Sequence, residues 1–241
     1  MILRHSPRFV PLALMLALLL LPRTSLGLGS GPNPEVQVIG RLQDVMHGDA
    51  SAKVRLDLLE LKHLFALGPA AGKDGEIAVL DGIPYWARVN ETGGATLENT
   101  RAIAAAMLVF AKVETWRESP LALSSPLGAE KDWATTIENA AVAQGLDIER
   151  AFPFRLSGDF SQVTFHILRH EDSQVRFEEN AVQAEVIGFY SRHHEGVFTH
   201  KGSSIHFHFV SPPRGLAGHI DALLAKPGNA IRLLLPQAGP R

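Results

Sequence analysis

The chain has 241 residues, of which 46% are hydrophobic and 20% charged, with a formal net charge of −2 and no cysteine. This composition supplies enough apolar material for one or two packed domains and excludes both disorder and a small disulfide scaffold. Without a basic excess there is no electrostatic drive to neutralise a phosphate backbone, so nucleic acid is not an expected partner.

In chain order, Arg4, His5 and Arg8 precede the apolar run "FVPLALMLALLLLP" (9–22), and "RTSLGLGSG" follows with small residues suited to cleavage near Gly27. At about 14 residues the run is short of the roughly 20 that span a bilayer, so 1–27 reads as a secretory signal rather than an anchor. The expected location is periplasmic or secreted, with no membrane association after cleavage, and no cysteine is present for lipid attachment. Residues 28–35 read as a polar linker to a folded region over 36–241.

Val54, Leu58, Leu61 and Leu64 recur at spacings of four, three and three, which predicts a helix. "GEIAVLDGIPYWARV" (75–89) predicts a hairpin turning at Asp81-Gly82, with Glu76 at the start of its first strand. In "TRAIAAAMLVFAKVETW" the Ala-rich beginning looks helical and the second half reads as a buried strand. "GAEKDWATTIENAAVAQGLD" (128–147) predicts a helix, with Glu130 and Asp132 supporting its N-terminus and Gly145 at its end.

From residue 152 onward the pattern becomes strands: "FPFRLSGDF", "QVTFHILRH", "QVRFEE", "AEVIGFYS", "GVFTH", "SIHFHFVS" and "AIRLLLPQ". The expected class is α/β in the α+β sense: a mixed-sheet N-terminal half, to about residue 150, packed with a mainly antiparallel β C-terminal half. No flexible linker divides the two.

Eight of the eleven histidines fall within residues 166–219. In "SIHFHFV" the side chains alternate, so His206 and His208 share one face about 7 Å apart along the strand. "SPPRGLAG" must turn, and a segment returning from Gly218 would bring His219 beside the pair. Three neutral imidazoles without a thiolate suit zinc or a similar divalent ion, in the three-ligand pattern of catalytic sites. The same residues also fit polar positions on the wet face of an edge strand. His193, His194 and His200 fall in or beside a loop, where solvated side chains are expected rather than a second metal site. Asp221, two residues past His219, could orient a ligand histidine or face solvent.

Taken together, "FALGPAAGKDGEIAVLDGIPYWARV", "FPFRLSGDFSQVTFHI", "EVIGFY" and "IHFHFVSPPRGLAGHIDAL" resemble the alpha-acetolactate decarboxylase family in content and order. The resemblance runs from about residue 36 to about residue 225. It implies a two-part fold, often dimeric, with zinc held by His206, His208 and His219 and with Glu76 as the acid beside the metal. It also implies decarboxylation of 2-acetolactate to acetoin. Two departures stand out. A gap-free carry-over puts His166 where the family has a strand arginine, leaving Arg155 or Arg169 to compensate, so Arg155 and His166 join Glu76 as candidate catalytic residues. The family's tail also carries a further acid, whereas none follows Asp221 here. The alternative is an exported metal-binding protein on the same scaffold that has lost the chemistry.

Overall fold

The computed structural model describes residues 33–170 and 173–237, so the expected signal segment lies outside the described residues. Its strands are β1 (Gln37–Ile39), β2 (Val54–Arg55), β3 (Leu64–Pro69), β4 (Glu76–Leu80), β5 (Ile83–Val89), β6 (Ala95–Asn99) and β7 (Ala104–Ala105), followed by β8 (Leu108–Lys112) and β9 (Trp116–Ser119). The second half adds β10 (Phe152–Arg169), β11 (Ser173–Tyr190), β12 (Ile205–Ser211), β13 (Leu216–Leu224) and β14 (Ile231–Pro236). The helices are α1 (Leu42–Met46) and α2 (Glu130–Ala143).

One sheet runs β1-β8-β3-β4-β5-β6 and the other β11-β12-β13-β10-β14-β9. Because β11 also pairs with β10, the strands β11, β12, β13 and β10 close into a ring. A single apolar core joins the sheets, with Phe65, Leu67 and Ala78 of the first among Phe154, Phe207 and Phe209 of the second. The α+β, sheet-rich class holds. The first sheet is antiparallel throughout rather than mixed: β3, β4, β5 and β6 follow one another through short connections, and β8, arriving from later in the chain, runs antiparallel to both β1 and β3.

Sequence and structure agree where local chemistry is decisive. Asp81 (φ 48°) and Gly82 (φ 81°) make the tight turn between β4 and β5. In α2 the buried residues Trp133, Ala134, Ile137 and Ala141 follow helical spacing. The helix ends with Gly145 N–H bonding the Val142 carbonyl and Leu146 N–H bonding that of Ala141, a left-handed glycine cap. Trp133 Nε1–H also donates to the Leu223 carbonyl at 2.7 Å, seating α2 on β13.

The helix expected over 54–64 is absent. Leu56 is buried while Leu58 is 78% exposed, so the apolar spacing does not mark one face. The segment instead forms β2, a single 3-10 turn at Leu56–Leu58, and then β3. The Ala-rich stretch is likewise extended, because Ala104 and Ala105 pair with β2 and Ala106 N–H bonds the Pro69 carbonyl. "GVFTH" is a turn rather than a strand, with the N–H groups of Val197, Phe198 and Thr199 all directed at the His194 carbonyl. The four shorter strands expected over 152–191 merge into β10 and β11, each of 18 residues.

Alternation on the ring strands sends Phe207 and Phe209 to one face and His206 and His208 to the other. The phenylalanine face packs tightly, with the Phe165 and Phe209 rings edge to face at 4.7 Å. Gly218 allows this packing beside the histidines: a Cβ there would lie 2.6 Å from Phe165 Cδ2 and 2.9 Å from the His166 carbonyl oxygen. Gly218→Ala is therefore expected to destabilise the protein by about 1–3 kcal/mol through overpacking. A denaturant-unfolding midpoint unchanged from wild type would contradict that packing.

Candidate metal centre

The strand register assembles the histidines. His219 on β13 lies directly opposite His208 on β12 and, on its other side, opposite His166 on β10. His206 is two residues along β12 from His208, on the same face. All seven residues of β12 are buried, and the strand is interior, flanked by β11 and β13, so the wet-edge alternative does not apply.

Hydrogen bonds fix the ring orientations. His206 Nδ1 lies 2.6 Å from the Phe198 carbonyl oxygen, and His208 Nδ1 lies 2.9 Å from that of Ile77 in β4. Because a carbonyl can only accept, both Nδ1 atoms carry the proton and both Nε2 atoms are bare. Those two Nε2 atoms face each other at 3.2 Å, and His219 Nδ1 is 3.0 Å from His206 Nε2. Burial pushes the pKa of His206 and His219 well below the usual histidine value and that of His208 to about 3, so the rings are neutral.

Two buried lone pairs directed at each other call for a cation between them. The spacing fits, since nitrogens bound to one tetrahedral ion at about 2.0–2.1 Å stand about 3.3 Å apart. The donor set of neutral imidazoles without thiolate suits a divalent transition ion.

Glu76 enters from the facing sheet. It is 4% exposed, and one carboxylate oxygen lies 3.6 Å from His208 Nε2. This is too long for a hydrogen bond, and His208 is neutral, so the contact is not an ion pair. Burial, reinforced by the charge of Asp221, raises the Glu76 pKa to about 7, while His166 and the Leu168 backbone N–H pull the other way.

His166 Nδ1 is 2.8 Å from Asp221 Oδ1, and Asp221 Oδ2 lies 3.0 Å from Arg176 Nε. Glu76, His166, His200, His206, His219 and Lys73 line one cleft of about 360 Å³, walled by Leu42, Val45 and Met46 of α1. That volume accommodates a small organic acid.

Arg155 does not join this group. It pairs with Glu185 at 2.9 Å, and its guanidinium lies over Phe65 and Trp116. Strand register separates it from His208 by Ile187. Arg169, the other arginine considered from the sequence, lies at the end of β10 and does not line the cleft. Three residues were missed or misplaced from the sequence. Lys73 sits in a turn with φ 56° and gives no periodic signal. Arg176 is directly opposite His166 across a strand pair. His200, expected to be solvated, lines the cleft.

The site is thus a buried three-histidine divalent-metal candidate with an adjacent acid, mounted between two antiparallel sheets. A family model described as alpha-acetolactate decarboxylase matches residues 38–231, and the chain belongs to that family. The solved alpha-acetolactate decarboxylase from Bacillus subtilis strain 168 is similar in fold, with TM-score 0.65 and 16% identity over 85% of this chain and 86% of that one. A Staphylococcus aureus protein of unknown function, described as similar to alpha-acetolactate decarboxylase, has TM-score 0.65 and 18% identity over 85% of each chain. The acetolactate decarboxylase of Bacillus subtilis subspecies spizizenii gives TM-score 0.64 and 16% identity over 85% of this chain and 86% of that one. No curated protein matches the chain in sequence.

The two kinds of buried group imply opposite pH effects in metal-free protein. The histidines, with lowered pKa, contribute stability above about pH 6.5 that is lost as the pH falls. Glu76, with raised pKa, contributes stability below about pH 4.5 that is lost as the pH rises through about 7. Metal-free Glu76→Gln is therefore expected to gain on wild type between about pH 4.5 and 7, by at most about 3 kcal/mol. Urea midpoints across this range check it, and parallel profiles for the two proteins would count against a buried, proton-binding Glu76.

Proposed function

We propose that the protein is a zinc-dependent carboxy-lyase that decarboxylates 2-acetolactate, or a related 2-hydroxy-3-keto acid, to acetoin and carbon dioxide. The observation that carries this reading is the placement of Glu76, a carboxyl poised near neutrality, against a buried cluster of three neutral imidazoles. His206, His208 and His219 would hold the ion, which supplies Lewis acidity toward the ketone and hydroxyl oxygens of the substrate.

The residues then divide the remaining work. When the carbon–carboxylate bond breaks, its electron pair passes into the neighbouring ketone, carbon dioxide leaves, and the carbon that carried the carboxylate must receive a proton. Glu76, beside the imidazole cluster, would donate it and then recover one from water. His166, with its Nδ1 committed to Asp221, lines the cleft and would handle the proton of the substrate hydroxyl through Nε2. Lys73, 8% exposed, lines the same cleft, where its cationic side chain would help orient the substrate carboxylate before it leaves.

Export to the periplasm or the exterior is proposed with this activity, from the basic, apolar and small-residue order of residues 1–27. A second reading, a metal-binding protein without turnover, is favoured by the position of Arg155 away from the cleft. A colorimetric acetoin assay with metal analysis on the protein from residue 28 onward separates the two. The first reading gives acetoin, loss of activity on chelation and recovery with zinc; the second gives stoichiometric metal and no product.

Glu76→Gln is expected to retain zinc and lose at least about a hundredfold in kcat, the scale of a general acid–base contribution. Lys73→Met should raise KM about tenfold with a smaller change in kcat, because it removes a contact to a carboxylate that is fully charged only in the ground state. A drop confined to kcat would assign Lys73 a different role.

A further inference from the structure

His200 has no part in the three-histidine reading, yet its surroundings prepare it for one. It follows Phe198 by two residues, and the Phe198 carbonyl accepts the Nδ1–H of His206 at 2.6 Å. The same loop is closed by the three N–H groups directed at the His194 carbonyl and by Gly196 N–H to the Thr199 carbonyl at 2.8 Å. Phe198 is fully buried and stacked on His194, with ring centroids 4.9 Å apart. Leu42 and Gln43 of α1 donate backbone N–H groups to the carbonyls of Val197 and Gly196, fastening the loop from the other side. His200 is thus carried by a segment anchored to a candidate ligand and to the cleft wall.

The His200 ring stands 5.2 Å from that of His219 and 5.8 Å from that of His206, centroid to centroid. One nitrogen from each of the three rings lies within 4.8 Å of the other two. Burial lowers the His200 pKa below the ordinary histidine value, keeping a lone pair available. Ligands of one tetrahedral ion stand about 3.3 Å apart, so a ring swing of at most about 1.5 Å brings the His200 nitrogen to ligand spacing from those of His206 and His219.

We propose that His200 is a fourth nitrogen ligand of the metal centre, completing a four-histidine resting site. The inference rests on the metal reading of His206, His208 and His219, and adds to it a ligand supplied by a loop rather than by a ring strand. A substrate with two oxygen donors would then displace His200 or expand the coordination shell, both of which a loop-borne ligand permits better than a strand-borne one.

Cobalt(II) loading tests this without reference to turnover. Wild type is expected to bind one cobalt per chain. His200→Ala should still bind one, but at least about tenfold more weakly in chelator competition and with altered visible bands, while His193→Ala, on the same loop, leaves both unchanged. His200→Cys should produce a new thiolate-to-cobalt charge-transfer band in the near ultraviolet. Unchanged affinity and bands in His200→Ala, together with no such band in His200→Cys, would overturn the assignment while leaving the three-histidine site standing. Failure of the wild-type protein to bind cobalt would remove both.

Discussion

The hydrogen bond from His208 Nδ1 to the Ile77 carbonyl is the contact on which the site depends. It crosses from β12 in one sheet to β4 in the other and fixes which nitrogen of His208 carries the proton. Since Glu76 immediately precedes Ile77, the same contact sets the carboxyl beside the bare Nε2. His206 repeats the device with the Phe198 carbonyl. Both partners are backbone groups, so their positions follow from the chain path and not from side-chain rotamers. A buried Nδ1–H lacking its carbonyl would cost about 1–3 kcal/mol, which discourages either ring from flipping. The sheet-to-sheet packing and the ring tautomers are therefore one constraint.

That constraint works against stability elsewhere. Neutral histidines with converging lone pairs, together with a desolvated carboxyl, occupy an interface that apolar side chains would fill more favourably. The opposite face of the ring compensates: Phe154, Phe165, Phe207 and Phe209 pack inside it, and glycines stand where neighbouring aromatics approach. At Gly188 a Cβ would lie 2.1 Å from Phe154 Cζ, so aromatic packing reaches the backbone itself. Period-two alternation delivers both faces from the same residues: each histidine on β12 is followed by a phenylalanine pointing the other way.

The legible parts of the sequence are those whose cause is local. Asp81-Gly82 specifies its turn by backbone conformation, Gly145 its helix cap, and "SIHFHFV" its two faces by alternation. What failed depends on partners distant in the chain. Leu58 and Leu61 continued a helical spacing by coincidence, and only the pairing of β2 with β7 shows that Leu56 is the buried residue. Arg155 and His166 lie on one strand, but eleven residues carry them to different pairings, so a shared strand did not mean a shared site. Arg176 reaches Asp221 because β11 folds back along β10, which no local pattern encodes. His200 resembled a loop histidine because it is one; its significance comes from the Phe198 carbonyl that ties the loop to His206.

Charge balance links the acid to the ligands. Neutral imidazoles leave both positive charges of a divalent ion uncompensated, and an ion among His206, His208 and His219 would face the Glu76 carboxyl across the gap that now measures 3.6 Å to His208 Nε2. The raised pKa of Glu76 is a property of the metal-free cavity, where burial dominates. An adjacent divalent charge favours the ionised form, so loading would drive Glu76 toward carboxylate and release a proton. An anionic substrate, were it to enter the cleft that Lys73 lines, would partly restore the balance and raise the carboxyl's proton affinity again. The acid would thus be reprotonated by the arrival of substrate itself, a response that a solvent-exposed carboxyl, screened from both charges, could not give.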